Sequence, residues 1–156
     1  MIPIVLPQRS GIRPRTTETN PHSQLNQNPS ASVVDLPCLR LFALPGVIER
    51  PSAISVPGAR ALWLLPERAK GPSEAFMIWT EFAHVHPLPD GSLHVALPAE
   101  VADEVIARGW GEQHPMAKRG MIPPNVCMLY APRDERDCCR PGRSGVGFCK
   151  RGCSLN

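Results

Sequence analysis

Apolar positions are sparse over residues 7–32, where Gln, Asn, Ser, Thr, Pro and Arg predominate, and become frequent from Val33 onward. A segment with so little to bury cannot offset the entropy of being ordered. The pattern therefore predicts a disordered leader over 1–32 and a folded domain over 33–137. Within the domain, Leu36–Leu44 predicts a short helix or turn ended by Pro45-Gly46. Ala53–Val56 alternates, Pro57-Gly58 is a turn signal, and Ala59–Leu65 returns with Trp63 among leucines, which predicts two strands. Ala75–Trp79 predicts a third, running on toward Glu81-Phe82.

The segment Phe82–Leu97, FAHVHPLPDGSLHVAL, predicts a β-hairpin. Pro89-Asp90-Gly91 suits a three-residue loop, a type I turn followed by a left-handed glycine, and that loop pairs His86 with His94 and His84 with Ala96. Side chains alternate between the faces of a strand. Ala83, Val85, Leu93, Val95 and Leu97 then share one face, and His84, His86, Ser92, His94 and Ala96 share the other. The apolar face is expected on the core, and the histidine face toward solvent or a site.

Pro98–Arg108 predicts a helix. Proline suits its first turn, acids Glu100, Asp103 and Glu104 lie toward its N-terminal end, Arg108 lies in its last turn, and Gly109 stops it. Val101, Ala102, Val105 and Ile106 form its apolar stripe. Val126–Tyr130 is apolar throughout and predicts a buried strand. Pro132–Asp137 opens like a second helix but gives way to CCRPGRSGVGFCKRGCSLN, an irregular basic, Cys-rich tail over 138–156 without apolar periodicity. The fold class expected is α+β, a small antiparallel sheet packed against one or two helices.

Composition narrows the function classes. The net charge is +3, but four bases lie in 138–156 without an acid, which leaves a net −1 for the remainder. The domain carries no basic stripe interleaved with aromatics, so no nucleic-acid partner is expected. No run approaches the ~20 apolar residues that span a bilayer, and no membrane partner is expected. Met1–Leu6 is short, broken by Pro3 and not preceded by a base, unlike a signal peptide, and a cytoplasmic location is the default. Of the 6 cysteines, Cys38 and Cys127 lie in apolar settings, and the adjacent Cys138-Cys139 makes a poor zinc knuckle.

Candidate chemistry concentrates on the hairpin. His84 and His86 at i and i+2, with His94 opposite, can converge on a divalent first-row metal, with neutral imidazoles as ligands and a coordination position left open. His114, Asp90 and Glu112 join them as candidate site residues, and Glu81 is a further carboxylate that could orient a ring. His22, in the leader, is discounted. Ser92 lacks the G-x-S-x-G elbow of a serine nucleophile, and the glycines form no phosphate loop. The aromatics Trp63, Phe76, Trp79, Phe82 and Trp110 read as core. Three classes stay open, so whether the chain is an enzyme does too: a histidine-dependent enzyme, with or without a metal, acting on a small-molecule ligand; a non-enzymatic ligand- or metal-binding module; and a protein-interaction module with incidental surface histidines.

The blocks EFAHVHPLPDGSLHVALP (81–98), GWGEQHP (109–115) and MLYAPRD (128–134) occur in an order that resembles the luciferase-domain family of small proteins from bacteria and fungi. The resemblance spans the Leu44–Gly46 region to Asp137. It implies that the His84-x-His86 pair, Asp90, His94, and Glu112 with His114 are family positions, and that an amphipathic helix follows the APRD segment. The departure at Cys138 leads to the expectation that 138–156 derives from a shifted reading frame or a degenerate terminus.

Overall fold

The computed structural model describes residues 5–138. The tail and its proposed frame-shifted origin lie, from residue 139 onward, outside the described residues.

The centre is one antiparallel sheet of six strands in the order β1-β2-β3-β4-β6-β5. The strands are β1 (Val47–Pro51), β2 (Arg60–Leu64), β3 (Glu81–Val85), β4 (Leu93–Ala96), β5 (Gly111–Gln113) and β6 (Val126–Leu129). Two longer helices accompany them, α1 (Ala31–Phe42) and α2 (Ala99–Ala107), with the short α3 (Pro115–Lys118) and α4 (Glu135–Cys138). This is the α+β architecture that the alternating and helical patterns predict.

Pairing sorts the side chains of five strands onto two faces. Leu62 lies opposite Ala83, Ala83 opposite Val95, Val95 opposite Cys127, and Leu93 opposite Leu129. These residues make the apolar face. Val34, Cys38 and Phe42, spaced four apart on α1, pack there with Val85 and Leu93. That stripe is why α1 begins at Ala31, well before the expected Leu36, and continues through Pro37. Tertiary burial of a helical face outweighs the missing proline N–H. Farther along the same face, Val105 of α2 comes against Gly111 of β5 beside Leu129. A Cβ at Gly111 would also strike the Met128 carbonyl oxygen.

Several expected elements differ. The hairpin register is shifted by two: His84 pairs with His94 and Val85 with Leu93, and the His86 N–H donates to the Ser92 carbonyl at 2.9 Å. The Ser92 N–H, which would close the tighter loop on Leu88, donates instead to Asp90 Oδ1 at 3.1 Å. A five-residue loop, 87–91, results. Because the shift is even, every side chain keeps its expected face. Gly91 takes the left-handed conformation (φ +67°), and Pro29 lies so near that a Cβ there would come within 2.7 Å of its ring.

Ala53–Val56 is not a strand. Its leading N–H groups are taken by side chains, Ala53 by Glu81 Oε2 and both Ile54 and Ser55 by Ser52 Oγ, so 52–59 forms the loop between β1 and β2. Ala75–Trp79 is a 3₁₀ turn over Ser73–Ala75 and then a tight reversal bridging Ile78 to Glu81, with Trp79 at φ +48°. Trp79 is 73% exposed and stacks on Trp63, so it is a surface residue rather than core.

The largest difference concerns the leader. Residues 5–30, expected to be disordered, pack on the domain: the first part runs along the end of α2, and Thr16, His22 and Gln24 reach the opposite, histidine-bearing face. Gln24 Oε1 accepts the buried Ala131 N–H at 2.9 Å, and the Trp110 indole donates to the Pro7 carbonyl at 2.7 Å. The Arg9 guanidinium sits 5.5 Å from the centre of the Tyr130 ring. Polar residues hold this strap, and a reading of apolar periodicity does not register them.

Two outcomes follow. Gly111→Ala should lower stability by about 3 kcal/mol, the upper end of overpacking costs, read as a fall in melting temperature. Limited trypsin digestion should cut slowly after Arg9 and Arg15. Cutting should accelerate in Gln24→Ala, which strands the Ala131 N–H at a cost of about 1–3 kcal/mol. Rapid cutting of the unaltered protein at both sites would show that the strap is not docked.

Candidate functional site

The second face carries a transverse row. Ala61 pairs with His84, His84 with His94, His94 with Met128, and Met128 with Glu112, across β2, β3, β4, β6 and β5. His86 extends the row beyond the end of β3. His114 follows β5 directly and caps α3, its Nδ1 accepting the Met116 N–H at 3.1 Å. All six expected site residues, His84, His86, His94, His114, Asp90 and Glu112, therefore gather on one face.

This face is closed rather than open to solvent. His94 is 1% exposed, His84 and His86 5% each, and His114 9%. The strap inserts His22, itself 1% exposed, with its ring centre 5.4 Å from that of His94 and 5.0 Å from that of His114. The discounting of His22 is thus overturned. It lies in a polar stretch without periodicity, and only the packed strap brings it to the site. Tyr130 and Thr16 were missed for the same kind of reason, since each acts through a single hydroxyl.

Three of the rings are anchored by carboxylates. His84 Nδ1 donates to Glu81 Oε1 at 2.9 Å, His86 Nδ1 to Asp90 Oδ2 at 2.8 Å, and His22 Nε2 to Glu112 Oε1 at 2.7 Å. Glu81 also accepts from Ser52 Oγ (2.6 Å) and the Ala53 N–H (2.9 Å). Glu112 also accepts from Thr16 Oγ1 (2.7 Å) and the Tyr130 hydroxyl (2.8 Å). Burial opposes the ionised form of Glu112, but hydrogen bonds from His22, Thr16 and Tyr130 outweigh it and hold its pKa at about 2. Glu81 and Asp90 are likewise held below the ordinary carboxylate range: burial raises them, and the bonds from His84 and His86 more than compensate. The site thus holds ionised carboxylates whose hydrogen-bond partners are histidines.

Three of the imidazoles, His84, His94 and His114, are shifted toward their neutral forms. Burial, then the neighbouring His86 and His84, pushes His94 well below its ordinary value. Burial lowers His84 despite Glu81, and burial with His22 close by brings His114 to about 4. Neutral imidazole is the form that ligates metals.

His94 differs from its neighbours. Among the described residues neither Nδ1 nor Nε2 has a hydrogen-bond partner, although both atoms are buried, and the same holds for His22 Nδ1. One ring nitrogen from each of His84, His86 and His94 lies within 4.8 Å of the others, and a second such group joins His22, His94 and His114. The two groups share His94. A surface cleft lined by Ser10, Arg133, Asp134, Arg136 and Asp137 lies elsewhere, and its charges pair with one another, Arg133 with Asp137 and Arg136 with Asp134.

With this geometry in hand, comparison with known proteins is informative. No solved structure matches the chain. Proteins named Luciferase from Armillaria ostoyae and Armillaria gallica are each 34% identical over 148 residues, which covers 85% of this chain and 55% of theirs. The Luciferase of Neonothopanus nambi is 32% identical over 152 residues, with the same shares. The chain spans about half the length of the curated relatives it matches. Residues 79–138 match the model of the Luciferase domain, a span that contains the hairpin, Glu112, His114 and Tyr130 but not His22. The chain belongs to the luciferase-domain family.

Proposed function

We propose that this chain is a metal-dependent enzyme for a small-molecule substrate, with one divalent first-row metal held by His84, His86 and His94. The observation that carries the reading is His94, whose two ring nitrogens are buried without a partner. A polar group left in that state costs about 1–3 kcal/mol and calls for an occupant. His84 and His86 supply the complement. Each commits Nδ1–H to a carboxylate, which leaves the Nε2 lone pair free, the arrangement that orients metal-binding imidazoles and raises their basicity. Three imidazoles leave a coordination position for water or substrate, where a divalent metal acts as a Lewis acid. The relatives named Luciferase make light output the first activity to assay for this chain, with the reservation in scale that it covers 55% of their length.

The closure of the cluster favours a second reading, a non-enzymatic site whose metal ties the strap to the sheet. None of the five rings is more than 9% exposed, and structural metal sites are closed by protein ligands. Exogenous-ligand binding separates the two.

Purified protein should carry zinc, iron or copper near one equivalent, lost in His86→Ala. Asp90→Asn should keep the stoichiometry at saturating metal but weaken affinity by about 10–100-fold, as loss of an orienting carboxylate does. A protein that takes up no metal, and whose folding is unchanged when His84, His86 and His94 are all replaced by Ala, would leave the histidines incidental. In the cobalt-loaded protein, azide should alter the visible spectrum by entering the open position. A spectrum indifferent to azide would assign the metal a purely structural role.

A further inference from the structure

The second group, His22, His94 and His114, meets the same 4.8 Å limit as the first but differs in chemistry. His22 donates Nε2–H to Glu112, so in a neutral ring the remaining nitrogen, Nδ1, is a hydrogen-bond acceptor, and it is buried with no hydrogen-bond partner among the described residues. His114 accepts the Met116 N–H at Nδ1, so a neutral ring carries its proton on Nε2 and is a donor there. His94, once one nitrogen binds the metal, keeps a proton on the other and is also a donor. The three rings thus present two N–H donors and one lone pair. A cation is repelled by the donors. A carboxylate or halide has no hydrogen for His22. An oxygen with two lone pairs and a hydrogen satisfies all three.

We infer that a neutral hydroxylic oxygen, a water or the O–H of a small ligand, sits among His22, His94 and His114 and serves as the missing outer partner of His94. The inference rests on the metal reading above. In that reading His84 and His86 each have a carboxylate behind them, Glu81 and Asp90, while His94 has no hydrogen-bond partner among the described residues. Metal-bound histidines nearly always donate their second N–H to something. Three nitrogens within 4.8 Å of one another leave room for an oxygen no farther than about 2.8 Å from each, ordinary hydrogen-bond reach. Three such bonds are also the usual complement of a buried water. His22 is then a positioning residue, fixed by Glu112, Thr16 and Tyr130. It acts through the oxygen on His94 and so on the metal.

Crystals of the full chain loaded with cobalt test this directly, because anomalous scattering marks the metal and not an oxygen. The expected map has one anomalous peak at His84, His86 and His94 and a light-atom peak among His22, His94 and His114. An isolated sphere of density identifies water, and density continuous with carbon identifies a hydroxylic ligand. A second anomalous peak in the His22 corner, or no density there, overturns the inference and leaves the metal reading standing. No anomalous peak at His84, His86 and His94 overturns the metal reading itself. In solution, His22→Phe keeps a ring of similar size but removes the acceptor. It should weaken cobalt binding about tenfold with one equivalent still bound at saturation. His114→Asn retains an acceptor for the Met116 N–H and should weaken cobalt in the same sense. Unchanged affinity in both folded variants, or loss of the bound equivalent in His22→Phe, contradicts the positioning role.

Discussion

A polar sheet face that is buried must find its hydrogen bonds inside the protein, and this constraint organises the molecule. Unpaired imidazoles and carboxylates in an apolar interior would each cost several kcal/mol. The structure meets the cost by pairing one class with the other. Glu81 opens β3, Asp90 sits in the hairpin loop and Glu112 lies on the edge strand β5, and each accepts a hydrogen bond from a different ring. These bonds hold all three carboxylates in their ionised forms. Such a site attracts cations.

The same constraint explains why the strap belongs to the site rather than decorating it. Thr16 and His22 complete Glu112, and Gln24 completes the backbone of Ala131 beyond β6. Without 5–30 the histidine face would meet water and the carboxylates would lose their desolvated setting. The strap in turn has few apolar side chains with which to hold itself down: Val5, Ile12 and Leu25 are exposed. Its docking therefore depends on polar atoms already fixed on the sheet, so cover and site are interdependent.

Legibility in the sequence follows from this division. Alternation in Ala83–Leu97 identified both faces of the hairpin and its three histidines, since the two-residue slip in register preserves parity. The helix α2 was legible from its acids, stripe and terminal glycine. What escaped was whatever depends on contacts distant in sequence. Ala53–Val56 has the alternation of a strand but loses its donors to Glu81, 28 residues away, and to Ser52. β5 is only three residues long, too short for periodicity, and exists because β6 offers it a ladder. His22 reaches the cluster across 90 residues of chain to Glu112, and no local pattern encodes that.

Asp90 shows how closely fold and site are joined. In a three-residue loop the Ser92 N–H would bond Leu88, and the Asp90 carboxylate would have no backbone donor to hold it. In the five-residue loop that N–H reaches Asp90 Oδ1, while Oδ2 holds His86. One side chain thus sets the hairpin register and aims an imidazole. The register brings His94 opposite His84, with its ring centre 5.2 Å from that of His84 and 4.4 Å from that of His86. A change at Asp90 that altered only the loop would therefore also move His94 from its place opposite His84. Separating the structural from the chemical share of this residue requires a substitution that keeps the acceptor for Ser92 and alters the charge beside His86, which is what asparagine does.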